Sequence, residues 1–123
     1  MSSFGPYSPI YKTGNIFFVS GQVGVNPENG RSAPNLKEQT KQALENMKSL
    51  LKSERLSMSN IAKTTVYLTD MGEFVEMNEV YESFFDTPRP ARSTVAVKEL
   101  PRVGTNTLKV EKEATAFAGS SNE

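Results

Sequence analysis

The sequence contains neither cysteine nor histidine. Without cysteine the chain cannot form a disulfide bond or use a thiolate nucleophile, and this composition is typical of a reducing compartment. Without histidine it lacks the most common general base, and the two absences together remove the usual zinc ligands. We therefore expect no metal site, and any chemistry has to use Asp, Glu, Lys, Arg, Tyr, Ser or backbone groups.

The chain also lacks an excess of charge of either sign, since 14 Lys and Arg residues balance 14 Asp and Glu residues. No overall positive field attracts nucleic acid or an anionic membrane, so we expect neither partner. No run of about 20 apolar residues is present, which argues against a membrane span. The N-terminus does not resemble a signal or transit peptide, and a motif that begins at Gly5 leaves no room for one, so we predict a cytoplasmic protein.

Hydrophobic periodicity and turn residues predict a single α+β domain over residues 1–123 with the element order β-β-α-β-α-β-β. The first helix begins after the N-cap Asn35, and the second begins after the N-cap Asp70. The predicted strands are residues 10–12, 15–20, 61–68, 90–97 and 108–117. Two helices cover one face of this mixed sheet. Because the strands carry apolar residues on both sides, we expect oligomerisation to bury the other face.

The strand from Pro90 to Val97 is the most informative segment of the chain. Alternation places Arg92, Thr94 and Ala96 on one of its faces. A guanidinium among small, mostly uncharged neighbours is costly to desolvate unless an anion meets it. That anion is either a carboxylate of the protein or the carboxylate of a bound ligand. Glu113, on the last strand, is the protein candidate, and direct contact with Arg92 would make a structural ion pair.

Four further positions are candidates for a site. Ser20 and Gly21 end a predicted strand, where a glycine indicates a bulge or the close approach of a ligand or a neighbouring strand. Asn78 falls within the buried stripe of the second helix, so its amide needs a partner in a nearby loop or in a ligand. Tyr7, in a Gly-Pro turn, either packs over the core or lines the same site.

Six short motifs, found in the same order along the chain, resemble the reactive-intermediate deaminase family, whose members are called RidA or YjgF-like proteins. Each motif is weak alone, whereas six in order are specific, and the resemblance runs from Gly5 to Ala116. The motifs are Ser20-Gly21-Gln22, Glu38-Gln39-Thr40, Lys63-Thr64-Thr65-Val66-Tyr67-Leu68, Asn78-Glu79-Val80-Tyr81, Pro90-Ala91-Arg92-Ser93 and Glu111-Lys112-Glu113-Ala114.

The resemblance implies a chorismate-mutase-like homotrimer with a cleft at each subunit interface. It also implies cofactor-independent hydrolysis of 2-imino acids, such as 2-iminobutanoate and 2-iminopropanoate, and of their enamine tautomers, to 2-oxo acids and ammonia. By the same resemblance, Arg92 binds the substrate carboxylate, and Glu113 positions or deprotonates the attacking water. The other residues that the resemblance assigns to substrate binding are Tyr7, Ser20, Gly21, Asn78 and Thr94.

Three positions depart from the pattern of this family. Thr94 replaces a frequent cysteine, so thiol-dependent regulation is not expected. Arg89 replaces a frequent apolar residue and is expected to reshape the cleft. Lys112 replaces an aliphatic residue on the face assigned to the helices. Either its stem packs there while its ammonium reaches solvent, or the strand register slips.

Two other functions remain alternatives. A non-catalytic sensor of small carboxylic acids would use the same Arg92, but it would tolerate Glu113→Gln, whereas a water-activating role would not. The family has also been described as endoribonucleases and translation inhibitors. Zero net charge and the lack of a basic stripe with aromatic platforms give little support to RNA binding, which would show a steep salt dependence.

Overall fold

The computed structural model describes residues 5–119, which form a five-stranded sheet with two helices on one face. The strands are β1 (Ile10–Thr13), β2 (Ile16–Val23), β3 (Ile61–Leu68), β4 (Ala91–Ala96) and β5 (Val110–Phe117), and the helices are α1 (Leu36–Ser53) and α2 (Phe74–Glu82). The spatial order is β1-β2-β5-β3-β4, in which only the β3–β4 pair is parallel. The predicted α+β class, mixed sheet and element order are confirmed.

The first helix begins where its capping pattern predicts. The side-chain oxygen of Asn35 accepts a hydrogen bond of 2.9 Å from the N–H of Glu38, which satisfies one of the free donors of the first turn. On the buried side, the Asn46 amide donates to the carbonyls of Val23 at 3.1 Å and Val25 at 2.9 Å. These bonds tie α1 to the end of β2, the strand that carries Ser20 and Gly21.

The largest differences from the predicted element boundaries are in β2, in β5 and at the start of the second helix; the other boundaries differ by at most one residue. β2 continues past Ser20 because a bulge between Val19 and Gln22 lets the strand re-pair with β5. β5 begins at Val110 rather than at residue 108. Asp70 caps a 3-10 turn, Met71–Glu73, rather than the second helix, because its carboxylate accepts from the N–H of Gly72 at 2.8 Å; α2 then begins at Phe74.

The two faces of the sheet differ in what covers them. We call the face beneath α1 and α2 the helix face, and the other the open face. On the helix face, Phe17 and Val19 are almost completely buried. On the open face, Phe18 is 47% exposed, and Val95 and Phe117 are similarly uncovered. A monomer therefore leaves apolar strand residues in water.

Candidate functional site

Arg92 and Glu113 lie on opposite faces of the sheet. Arg92 pairs with Thr64 across β4 and β3, and Thr64 is buried beneath α2, where its hydroxyl lies 2.7 Å from that of Tyr81. Glu113 pairs with Thr65, which alternation directs to the open face. The direct Arg92–Glu113 ion pair considered from the sequence is therefore wrong.

Four of the predicted site residues, Tyr7, Ser20, Gly21 and Glu113, line one cavity, which we call the open-face pocket. It encloses about 400 Å³. The Ser20 hydroxyl donates a 2.6 Å hydrogen bond to the carbonyl of Ser8, which holds the Tyr7 turn beside the bulge of β2. The remaining lining residues are Val23, Pro101, Val103 and Glu111.

Gly21 lies against the side chain of Glu111. A Cβ atom placed on Gly21 would stand 2.7 Å from the carboxyl carbon of Glu111 and would also overlap its Oε2 atom. The bulge in β2 produces this close approach, so the neighbouring strand explains the glycine. Burial raises the pKa of the Glu111 carboxyl, and the negative charge of nearby Glu113 raises it further.

The carboxylate of Glu113 is oriented by a tyrosine. The Tyr67 hydroxyl donates a 2.9 Å hydrogen bond to Glu113 Oε1 across the open face. Burial raises the pKa of Tyr67, and its bond to the Glu113 carboxylate adds to that shift, so the phenol keeps its proton at neutral pH. The open-face pocket thus holds two carboxylates, one of them fixed in place.

Arg92 and Asn78 line a second cavity, which we call the helix-face pocket; its other lining residues are Tyr81, Glu82, Arg89 and Pro90. The guanidinium carbon of Arg92 lies 4.7 Å from the centre of the Tyr81 ring and 5.6 Å from that of Phe74. Within residues 5–119 no carboxylate is within 4 Å of the guanidinium, although Glu82 lines the same pocket. The aromatic rings hold the cation, and its donors remain available to an anion.

Asn78 and Thr94 lie on the same side of the sheet as Arg92. The Asn78 Oδ1 atom is buried and accepts no hydrogen bond from the described part of the chain, so the loop partner considered from the sequence is absent. Thr94 pairs with Val66, two residues along β4 from Arg92, and is partly exposed. It lines neither of the two pockets described above.

Lys112 is completely buried beneath the helices, at 0% exposure. Its ammonium lies 5.5 Å from the centre of the Tyr81 ring and has no hydrogen-bond partner among residues 5–119. Burial lowers its pKa to about 7, and the Arg92 charge contributes to the shift. The strand register does not slip, because Lys112 pairs with Val66; the expectation that its ammonium reaches solvent is wrong.

Sequence reasoning missed Tyr67, which orients Glu113, and several residues that line the two pockets, namely Tyr81, Glu82, Glu111, Pro101 and Val103. Tyr67 alternates with the buried Val66 on β3, so its position on the open face could have been predicted from the sequence. Its side-chain hydrogen bond to Glu113 depends on the β3–β5 register, which cannot be predicted from the alternation within one strand.

The described residues contain no group of three or more Asp, Glu, His or Cys side chains arranged to hold a metal ion. Among the helices of residues 5–119, none has the length and apolar character needed to cross a membrane.

Comparisons with known proteins agree on one relationship. The profile of the family described as Endoribonuclease L-PSP matches residues 1–118. The mouse protein named 2-iminobutanoate/2-iminopropanoate deaminase is 39% identical, over 96% of this chain and 85% of its own length. The crystal structure of RidA from an Antarctic Psychrobacter bacterium has a TM-score of 0.89 and 34% identity, covering 94% of this chain and 91% of that one. The crystal structure of E. coli TdcF with bound serine has a TM-score of 0.87 and 37% identity, covering 94% and 90%.

Proposed function

This chain belongs to the Endoribonuclease L-PSP family, which includes the RidA proteins, and from that premise we propose that it hydrolyses reactive 2-imino acids to 2-oxo acids and ammonia. The proposed substrates, 2-iminobutanoate and 2-iminopropanoate, are those in the name of the mouse relative. One observation carries the proposal: the Arg92 guanidinium lines a pocket and pairs with no carboxylate of the described chain. Its planar fork suits a substrate carboxylate.

We propose that the complete site forms between subunits of a homotrimer joined through the open face. Arg92, Asn78 and Thr94 of one subunit then face Tyr7, Ser20, Gly21 and Glu113 of a second. The exposed apolar residues of the open face support this assembly, since contact with another subunit would remove them from water. β4 is an edge strand, so a neighbouring subunit can approach the Arg92 pocket from the side.

The residues provide a hydrolytic route that needs no cofactor. Arg92 holds the carboxylate, and Glu113, oriented by Tyr67, accepts a proton from a water molecule whose oxygen attacks the imine carbon. The electron pair of the C=N bond moves to nitrogen, which takes a proton from a donor carboxylic acid to give the carbinolamine. Glu113 then passes the proton it took from water to the same nitrogen, the donor carboxylate takes the hydroxyl proton, and ammonia leaves as the C=O bond forms. Glu111 suits that donor role because its raised pKa keeps more of it protonated near neutral pH.

We also propose a cytoplasmic location, which the absence of cysteine supports.

A sensor function would use the same Arg92 pocket without turnover. The Glu113–Tyr67 hydrogen bond favours hydrolysis over a sensor function. The Tyr67 phenol holds the Glu113 carboxylate at 2.9 Å, and a carboxylate with a fixed orientation can position a water molecule for attack.

The test is the hydrolysis of a freshly generated 2-iminobutanoate, compared with that of a matched imine that lacks the carboxylate. We expect the protein to accelerate ammonia release from the carboxylate-bearing imine, and to discriminate against the other by about 100-fold or more, because Arg92 binds only the first. Equal acceleration of both imines would contradict the role of Arg92. Binding of 2-oxobutanoate without any acceleration would support the sensor, and salt-dependent RNA cleavage would support the nuclease.

Gly21→Ala is expected to lower kcat/KM for imine hydrolysis by about tenfold, because the added methyl group displaces the Glu111 carboxylate. The displaced group is the end of a flexible side chain, so stability should fall by no more than about 1 kcal/mol. Kinetics and urea unfolding of the same preparation check both effects. The double variant Gly21→Ala/Glu111→Ala is the control: it should regain the lost stability without regaining activity. A Gly21→Ala variant with full activity would contradict the assigned position of Glu111.

A further inference from the structure

We propose that Lys112 is a proton-uptake site behind the Arg92 anchor: it becomes protonated when a small carboxylate binds in the helix-face pocket, and it thereby makes ligand affinity depend on pH. This inference deepens the proposed function and rests on it, because it takes Arg92 as the carboxylate anchor. Lys112 touches no reacting atom. It responds to the charge of the anion bound at Arg92 and changes the affinity for that anion, so it is a positioning residue and not a catalytic one.

The geometry places two cationic side chains around one aromatic ring. The Arg92 guanidinium carbon lies 4.7 Å from the centre of the Tyr81 ring, and Lys112 Nζ lies 5.5 Å from the same centre. Lys112 Nζ is buried and has no hydrogen-bond partner among residues 5–119. The Asn78 Oδ1 atom, on the wall of the Arg92 pocket, is also unpartnered in the described chain. Lys112 Nζ therefore has no anionic partner among the described residues, and Asn78 Oδ1 has no donor there.

Among residues 5–119, no carboxylate forms an ion pair with Lys112 from the elements that surround it. Beside it in the sheet lie Val66 of β3 and Gln22 of β2, both uncharged. The residues that α1 buries against the sheet are likewise uncharged. Glu111 and Glu113, its neighbours along β5, alternate to the opposite face.

The charged and titratable groups of α2 and its flanking segments complete the surroundings of Lys112. Burial raises the pKa of Tyr81, which is therefore neutral at pH 7. Glu73, the last residue of the 3-10 turn before α2, lies 3.9 Å from Lys109. Glu82 and Arg89 line the helix-face pocket, and Arg92 is the charge that acts on Lys112.

The direction of the coupling follows from these charges. In the empty protein, burial and the Arg92 charge both disfavour the protonated lysine, and its pKa is about 7. A carboxylate bound to Arg92 adds a negative charge that offsets the Arg92 repulsion, so the pKa of Lys112 rises. Proton uptake is then largest between the pKa values of the empty and liganded states. Affinity is highest below pH 7 and weakens as the pH rises through that interval.

Calorimetric titration with 2-oxobutanoate, the stable product, tests this coupling. Titrations at one pH in two buffers of different ionisation enthalpy give the number of protons taken up per ligand. We expect uptake of a substantial fraction of one proton between pH 7 and 8 and little at pH 5.5, with Kd rising about two- to fivefold from pH 7 to 8. In Lys112→Met the uptake should disappear and Kd should vary little with pH. The matched control, Lys48→Met on the exposed side of α1, should behave as wild type.

The outcomes separate this inference from the proposed function. If the wild type binds 2-oxobutanoate without proton uptake, or if uptake persists in Lys112→Met, the Lys112 inference is overturned while Arg92 remains the anchor. Persistent uptake that vanishes in Glu111→Gln would assign the proton to Glu111, whose pKa is also shifted. If the wild type neither binds 2-oxobutanoate nor accelerates imine hydrolysis, the proposed function fails and this inference fails with it.

Discussion

Lys112→Met is expected to raise the free energy of unfolding at pH 7 by about 4 kcal/mol, which is a large fraction of the stability of a domain of this size. The unfolded chain returns this lysine to its ordinary pKa of 10.5, whereas the folded protein lowers it to about 7. Folding at pH 7 therefore costs either the proton or the burial of an unpaired ammonium. Methionine keeps the unbranched shape of the stem and removes the charge, so the cost disappears.

The same shift fixes how stability depends on pH. Between pH 7 and 10.5 the unfolded state binds more protons at this position than the folded state, so the stability of the wild type rises with pH in that interval. Below pH 7 the lysine is protonated in both states, and its contribution no longer changes. We expect a gain of about 2 kcal/mol from pH 7 to 9 that Lys112→Met lacks. Measurement stops at pH 9 because Tyr67 and Tyr81 titrate above that range.

Urea unfolding at fixed protein concentration measures both effects, and the fixed concentration matters if subunits associate. The wild type, Lys112→Met and the exposed-lysine control Lys48→Met are compared at pH 7, 8 and 9. The control should follow the wild type, because Lys48 lies on the exposed side of α1. Equal stability of wild type and Lys112→Met at pH 7, with equal pH slopes, would show that Lys112 is not buried as an isolated amine.

A buried lysine that destabilises the fold needs an explanation other than packing, because an aliphatic side chain would fill the same space more favourably. Residues that break a local rule without a structural gain are concentrated at functional sites. Lys112 shares the Tyr81 ring with the proposed carboxylate anchor. The stability cost and the proposed proton uptake are thus two consequences of one buried charge.

The fold was predictable because its signals are local. The capping pair at Asn35 and Glu38 and the β-branched run from Ile61 to Leu68 each identify an element without reference to the rest of the chain. The start of α2 was wrong because Asp70 can cap a 3-10 turn as well as an α-helix, and the two share one sequence pattern.

The site was less predictable because its geometry depends on pairing between distant strands. Alternation within β4 groups Arg92 with Thr94, and alternation within β5 separates Lys112 from Glu113. Neither pattern shows which residues of β4 lie on the same side of the sheet as which residues of β5. β3 lies between them, and its register with both strands places Arg92 and Glu113 on opposite sides. The burial of Lys112 likewise depends on the helix packing that places the Tyr81 ring beside it, which strand alternation cannot predict.

Arg92→Ala and Glu113→Gln are each expected to reduce kcat/KM for 2-iminobutanoate hydrolysis by about 100-fold or more. The first removes the charged hydrogen bonds to the carboxylate, and the second removes the acceptor for the water proton. Both positions are at least partly exposed, and Arg92 makes no ion pair within residues 5–119, so neither change should unfold the protein. Circular dichroism and urea unfolding of each variant check that condition. Retention of activity in Arg92→Ala would remove the anchor role.

Mixing these two inactive variants distinguishes a site shared between subunits from a site within one chain. If Arg92 comes from one subunit and Glu113 from another, unfolding and refolding an equal mixture should leave about a quarter of the sites intact, so about a quarter of wild-type activity returns. If both residues served the same chain, every site would carry one substitution, and no activity would return. The matched control is a mixture of Arg92→Ala with Asn78→Ala. These residues line one pocket of one chain, so that mixture should regain nothing beyond the activity of its parts.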